Sequence, residues 1–335
     1  MQRVLITGAL GYLGKIVLRK LHKDLQSGTI DGLVAMDVKP VDIKRRLSKV
    51  TYIQADIRDP KLWEHLAKNH ITTVIHLAAI IDSQASSRAF QYEVDVLGTE
   101  NLLEACVKTQ AKRIIISSSG AAYGYHADNP EWLKETDPVR GNDIFAYSAH
   151  KRLVEEMLER YRKQQPQLEQ ITFRVCTILG HSTQNLITNL FDKKRILGIK
   201  GYASPYVFIW DEDVAACMQK AVYSDVTGIY NLAGDGAIRN EDLATILGKP
   251  YLALSPRLLR LALTIGSRLG LTQYGPNQLL FIQYRPVLDN TKLKKVFGYT
   301  PKKSSFETFL FYLKAQQKHI GDYSKIEILE PPQSP

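Results

Sequence analysis

Cysteine is scarce in this chain: three among 335 residues, Cys106, Cys176 and Cys217. Three thiols cannot all pair, and their separations match no metal-ligand spacing. A disulfide scaffold and a cysteine-based metal site are therefore excluded, and a reducing, cytoplasmic location is expected. No apolar run is long enough to span a bilayer, so no integral membrane segment is expected. No charged-then-apolar leader precedes the first strand signal, and there is no internal repeat or low-complexity linker. The charge balance leans positive, formally +10. The densest groups are Lys44-Arg45-Arg46, Lys193-Lys194-Arg195, and Lys292, Lys294 and Lys295 with Lys302-Lys303. None is interleaved with aromatics as a single-strand binder requires, so these groups read as solvated surface and no nucleic-acid partner is expected. At most, some of them steer an anionic ligand.

What is present is a regular alternation. Strand signals fall at Val4–Ile6, Leu33–Met36, Thr51–Ile53, Val74–Leu77, Arg113–Ser117 and Ile171–Val175. Helical stretches lie between them at Leu13–Leu21, Pro60–Asn69, Arg88–Thr109 and Tyr147–Lys163. Such alternation predicts a parallel sheet with helices on both faces, an α/β fold with its ligand crevice at the carboxyl ends of the strands. The second half is less regular. Asn185–Arg195 and Asp213–Tyr223 read as helices, Tyr206–Trp210 and Gly228–Leu232 as strands, and the segment from Glu330 to Pro335 as irregular. The leucine-rich stretch Leu258–Leu271 reads as a helix face packed in a core. A smaller, mostly helical lobe, woven from several segments, is expected there.

The first strand runs into Gly8-Ala9-Leu10-Gly11-Tyr12-Leu13-Gly14 and then into a helix. In a strand–glycine loop–helix, Gly8 permits the tight turn, Gly11 lets the backbone approach a pyrophosphate, and Gly14 lets the helix pack on the strand. The helix N-terminus offers unpaired N–H groups to the anion. Tyr12 and Leu13 in the same turn belong to this cofactor site. Asp37 ends the second strand, where a carboxylate accepts from both hydroxyls of an adenosine ribose and repels a ribose phosphate; the cofactor expected is NAD rather than its phosphorylated form.

Two further patterns carry chemistry. In Tyr147-Ser148-Ala149-His150-Lys151, Tyr147 and Lys151 share a helix face. A neighbouring ammonium favours the phenolate form of a tyrosine, which suits it to general acid/base work near neutral pH. The buried strand Ile114-Ile115-Ile116 ends in Ser117-Ser118-Ser119, which brings a hydroxyl to the same crevice.

These pieces stand in the order Thr7-Gly8-x-x-Gly11-x-x-Gly14, Asp37, Asp56-Ile57, His76-Leu77-Ala78-Ala79, Ser118-Ser119 to Tyr123-Gly124, and Tyr147-x-x-x-Lys151. Together they resemble the extended short-chain dehydrogenase/reductase family, the NAD-dependent epimerase/dehydratase group. The resemblance continues more weakly through Phe173-Arg174, Phe208–Ala215 and Phe297–Pro301. It implies a Rossmann-type doubly wound parallel sheet over 1–176, with segments near 205–235 returning to it. It further implies a substrate lobe over 177–204 and 236–322, with an irregular tail over 323–335. Ser119, Tyr147 and Lys151 would be catalytic. Asp56 would take the adenine amino group beside Ile57, and Leu77, Ala78 and Ala79 would line the cofactor groove. Tyr123, Thr177 and Arg285 would face substrate. A homodimer through Arg88–Thr109 and Tyr147–Lys163 is implied as well.

The chain also departs from the family. Gly120-Ala121 follow Ser119 where the dehydratases carry an Asp-Glu pair, which argues against dehydration. Thr177 stands for a frequent asparagine, and Asp95 for another. The first expectation is a nucleotide-sugar epimerase. An NAD-dependent dehydrogenase or ketoreductase of an apolar secondary alcohol, steroid-like or ketoacyl, is the alternative. A non-catalytic dinucleotide-sensing protein is a further one.

Overall fold

Consecutive apolar residues on a strand demand cover on both faces of the sheet, and here both faces are covered. The computed structural model describes residues 1–80, 86–269, 275 and 278–332. The strands are β1 (Arg3–Thr7), β2 (Gly32–Asp37), β3 (Thr51–Gln54), β4 (Thr73–His76), β5 (Arg113–Ser119), β6 (Glu169–Val175), β7 (Thr177–Leu179), β8 (Ile196–Ile199), β9 (Phe208–Trp210), β10 (Gly228–Leu232) and β11 (Tyr251–Leu254). Seven of them form one sheet in the order β10-β6-β5-β4-β1-β2-β3, every pair parallel. The strand order reverses between β1 and β4. That reversal opens a crevice at their carboxyl ends, where open α/β sheets bind ligands.

Alternation along the strands sends neighbours to opposite sides. Val4 and Ile6 pack with α1 (Tyr12–Ser27), whereas Leu5 packs with α2 (Leu62–Lys68). On that second face the chain then makes α3 (Arg88–Tyr92), α4 (Gly98–Lys108) and α5 (Ala146–Gln164). Leu102, Leu103, Val154 and Leu158 from α4 and α5 fill it. After α6 (Leu186–Phe191), α7 (Asp211–Tyr223) returns to the first face, with Val214, Cys217, Met218 and Ala221 against α1 and the sheet.

The remaining helices are α8 (Asn240–Ile246), α9 (Pro256–Arg268), α10 (Gln278–Gln283), α11 (Thr291–Lys295) and α12 (Ser305–Ala315). Phe191, Tyr206, Phe208, Phe309 and Tyr312 make a separate aromatic core beneath α12, with Phe208 and Phe309 stacked at 5.4 Å. The expected Rossmann-type sheet with a smaller, largely helical part is the fold observed. No helix among the described residues is long and apolar enough to cross a membrane.

Four local expectations need correction. The helix expected over Asn185–Arg195 ends at Phe191, and Ile196 opens β8 instead, paired in parallel with β11. Gly198 suits this ribbon, since a Cβ there would lie 1.9 Å from the Tyr251 hydroxyl. The helix expected over Arg88–Thr109 is interrupted by one wide π-type turn, Glu93–Leu97, which turns Asp95 into the interior. The strand expected at Tyr206–Trp210 begins at Phe208, Tyr206 making only an isolated bridge to Ile238. Finally, the leucine-rich face is not core. In α9 only Leu259 is buried, while Leu258, Leu261, Ile265 and the following Leu269 stand exposed. Leu271, at the end of that stretch, and residues 333–335 of the tail lie outside the described residues.

Candidate active site

The glycine loop closes on the far strand of the crevice. Gly8 has φ +66°, and a Cβ on it would lie 2.7 Å from the Ala78 amide nitrogen. A Cβ on Gly14 would lie 2.2 Å from the Gly8 carbonyl oxygen. No side chain caps α1, whose N-cap is Gly11, so the first-turn N–H groups at Tyr12, Leu13 and Gly14 are left for an external acceptor. The backbone is thus shaped and polarised for an anion. Asp37 is pinned beside it, accepting from Leu10 N at 2.9 Å and Lys39 N at 3.0 Å. A cavity of about 60 Å³ adjoins it, lined by Leu10, Asp37, Lys39, Arg46, Tyr52 and Gln54 among others.

Leu77, Ala78 and Ala79 follow β4 as half-buried residues, the backbone of Leu77 and Ala78 lying against Gly8. His76, just before them, is buried between Thr7 (2.7 Å) and Thr99 (3.0 Å). Burial, helped by the Lys151 ammonium, pushes its pKa down to about 3. Ile57 is buried under Gly98. Asp56 is already engaged: Arg58 grips its carboxylate through Nε and Nη2 at 2.7–3.1 Å and holds its pKa below the usual carboxylate range.

At the other end of the crevice, the strand alternation sorts the three serines. Ser118 points inward and donates to Glu155 at 2.5 Å. Glu155 is gripped in turn by Arg174 at 2.7–3.1 Å, all of it buried. Ser117 offers its carbonyl to Lys151 Nζ at 2.9 Å. Ser119 is half-buried; its hydroxyl accepts from Ala121 N at 3.1 Å and keeps its own proton free of any acceptor among the described residues. Lys151 Nζ lies 5.6 Å from the centre of the Tyr147 ring, one helical turn back on α5. The half-buried Tyr147 hydroxyl has no hydrogen-bond partner among the described residues. Ser119, Tyr147 and Lys151 therefore come from two elements, β5 and α5, that pack against each other.

Tyr123 departs from expectation. It is fully buried, its hydroxyl 2.8 Å from Asn231 Oδ1 and 2.9 Å from the Lys134 carbonyl, and it accepts from Arg174 at 2.8 Å. A side chain so enclosed exposes no surface of its own, whereas the resemblance implies a contact with substrate. Thr177 opens β7 half-buried, opposite Phe208 in the register. The guanidinium carbon of Arg285 lies 3.9 Å from the centre of the Tyr206 ring and 4.5 Å from that of Phe281. Its Nε and Nη2 are buried without a hydrogen-bond partner among the described residues. Buried guanidinium donors left unpaired are costly unless an acceptor arrives.

Three more residues around the crevice, Tyr125, His150 and Asp95, were given no role by the sequence pattern. Tyr125 packs against Phe281 (5.0 Å) and Phe145 (5.7 Å), and feels the charges of both Arg285 and Tyr147. It bridges the two ends of the cleft; burial pushes its pKa up. His150 pairs with Asp95 at 3.0 Å, and Asp95 also accepts from Ile80 N at 2.8 Å. That pair fastens the loop after β4 to α5. A charged residue at 95 in place of the usual asparagine was the one available signal.

Residues 4–233 match the NAD dependent epimerase/dehydratase family. An uncharacterized protein of Mycobacterium tuberculosis is 23% identical over 318 residues, covering 93% of this chain and 84% of that one. The UDP-glucose 4-epimerase of Halalkalibacterium halodurans is 32% identical over 139 residues, 41% of this chain and 40% of that one. Among solved structures, the UDP-glucose 4-epimerase of Thermus thermophilus in complex with NAD superposes with a TM-score of 0.70 at 20% identity, over 94% of this chain and 99% of that one.

Proposed function

The chain belongs to the NAD-dependent epimerase/dehydratase family, and from that premise we propose that it is a nucleotide-sugar epimerase with Tyr147 as its acid/base. Residues 1–176, with those near 205–235, hold NAD; those over 177–204 and 236–322 hold the sugar nucleotide. NAD fits the cradle because Gly8 and Gly14 leave room only for backbone there and the start of α1 carries no cap. Gly11, Tyr12, Leu13 and Gly14 receive the pyrophosphate, Asp37 the adenosine ribose, and Leu77, Ala78 and Ala79 the groove wall.

When bound, NAD would supply reversible hydride transfer at a carbinol carbon. The protein's part is to move the accompanying proton. Tyr147 accepts it from the sugar hydroxyl, assisted by the Lys151 ammonium, which Ser117 holds in place. Ser119 donates a hydrogen bond to the same oxygen and steadies it as a carbonyl. Tyr147 then gives the proton back when the opposite face has been presented. Lys151 would also hold the nicotinamide ribose.

The observation that carries the sugar-nucleotide reading is Arg285. Its two buried nitrogens, unpaired among the described residues and close to the rings of Tyr206 and Phe281, make a rigid fork suited to a diphosphate. An apolar alcohol would leave it unsatisfied. Gly120-Ala121, without an acid pair, speaks against elimination of water. We further infer a homodimer, supported by exposed Tyr92 and Leu97 on the α3–α4 segment, and a cytoplasmic location, supported by the three free cysteines.

The test is product analysis by NMR with a panel of UDP-, GDP- and TDP-sugars, with the absorbance of reduced nicotinamide followed in parallel. An epimerase interconverts one pair with no net reduced cofactor, and Tyr147→Phe loses about a hundredfold or more of kcat. Reduced cofactor appearing in proportion to product would establish a dehydrogenase instead. Full activity in Tyr147→Phe would end the mechanism.

A further inference from the structure

The face of α9 turned away from the protein is apolar, and the charged residues of the helix itself are all arginines. One side of the helix, Leu259 with Leu263, packs on Ile199, Tyr202, Leu279 and Ile282. At 100° per residue, Leu258, Leu261, Ala262, Ile265 and Leu269 fall together on another side. The four large ones are 64%, 57%, 49% and 66% exposed. This is a continuous aliphatic stripe, not scattered exposure of the ordinary kind. Arg257 and Arg268 border it, with Arg260 beyond them. None of the three makes an ion pair among the described residues. The neighbourhood in sequence is one-sided too: from Leu243 to Leu288 there is no Asp or Glu, against one lysine and four arginines.

We infer that α9 is a docking helix for an anionic membrane surface, lying flat with its leucine stripe among the acyl chains and its arginines at the phosphates. Exposed aliphatic residues along one stripe, arginines at its border and a stretch of chain without Asp or Glu over 243–288 match an interfacial helix. A second copy of the chain is disfavoured, because self-pairing of this face would bring its unpaired arginines together. A protein partner fits less well, since the stripe is wholly aliphatic whereas protein hot spots favour Trp and Tyr over Leu. The placement goes beyond the reaction proposed above and does not depend on it.

The experiment is flotation of the full chain with vesicles of phosphatidylcholine alone or mixed equally with phosphatidylglycerol. The expected result is binding to the mixed vesicles only, weakened at about 0.5 M salt. The variant L258S/L261S/I265S, whose changed side chains are exposed and whose melting temperature should therefore hold, loses at least about tenfold in partitioning. R257Q/R268Q loses about fivefold per arginine removed. Should the serine variant fold poorly, Leu261→Trp reads the same contact: its emission, after subtraction of the wild-type spectrum with its three native tryptophans, shifts to the blue with mixed vesicles and not with neutral ones. Absence of flotation, flotation that ignores both multiple variants, or a Leu261→Trp emission unmoved by mixed vesicles would overturn the inference. So would a dimer that the serine variant dissolves in place of vesicle binding; no flotation together with capture of an acidic protein would assign the stripe to that partner.

Discussion

His76 gives a quantitative handle on the crevice floor. It is buried between Thr7 and Thr99, and its pKa is pushed down to about 3. In the unfolded chain the same imidazole titrates near about 6.5. Below that pH the unfolded state takes up a proton that the folded state refuses, so stability is complete above about 6.5 and falls by about 1.4 kcal/mol per pH unit down to about 3. At pH 5 the loss from this one group is about 2 kcal/mol. Other groups titrate as well, so the measurement is a difference: urea unfolding of wild type and His76→Gln at several pH values between about 7.5 and 5. The glutamine variant carries a constant penalty from disturbed hydrogen bonds, but that penalty does not change with pH. Wild type should therefore lose about 2 kcal/mol more than the variant across this interval. Equal slopes would mean that the folded protein accepts a proton at His76, and the picture of a dry, neutral imidazole under the cofactor groove would fail.

Other perturbations probe the remaining parts. Gly8→Ala combines a left-handed backbone with a Cβ 2.7 Å from Ala78 N; it should weaken NAD binding by at least about tenfold in isothermal titration, the left-handed backbone alone costing about 1–2 kcal/mol. Glu155→Ala strands the buried Arg174 guanidinium and should cost about 3–5 kcal/mol in chemical unfolding. Unchanged stability there would show that water or another group satisfies Arg174. Arg285→Gln should raise KM for a sugar nucleotide by about ten- to a hundredfold while NAD affinity holds, a hydrogen bond to a charged group being worth about 1.5–3 kcal/mol. A KM that does not move would remove the diphosphate from that position.

The cofactor end was legible because its requirements are local. Gly8, Gly11 and Gly14 sit within one turn, and a bare backbone at those points is read directly from the residue type. Tyr147 and Lys151 were legible for the same reason, being one helical turn apart. What escaped notice was non-local. Tyr123 and Ser118 are polar residues at the end of a strand, and nothing nearby says that Asn231, Lys134 and Glu155 will enclose them. Asp95 and His150 meet across 55 positions. The β8–β11 ribbon likewise pairs segments far apart, and Gly198 there reads as an ordinary turn residue until Tyr251 arrives beside it. In α9 a helical period was correct but ambiguous, since periodicity alone does not say whether an apolar face meets protein or something else.

The position of β10 at the margin of the main sheet has a consequence for biogenesis. It is the last of the seven strands to be synthesised, and Gly228–Leu232 pairs with Ile171–Val175 only after the intervening stretch has left the ribosome. Until then a nascent chain displays the backbone of β6 as an open template for foreign strands. Fragments ending near residue 200 should therefore clump during expression, whereas those reaching past Leu232 carry their own seal.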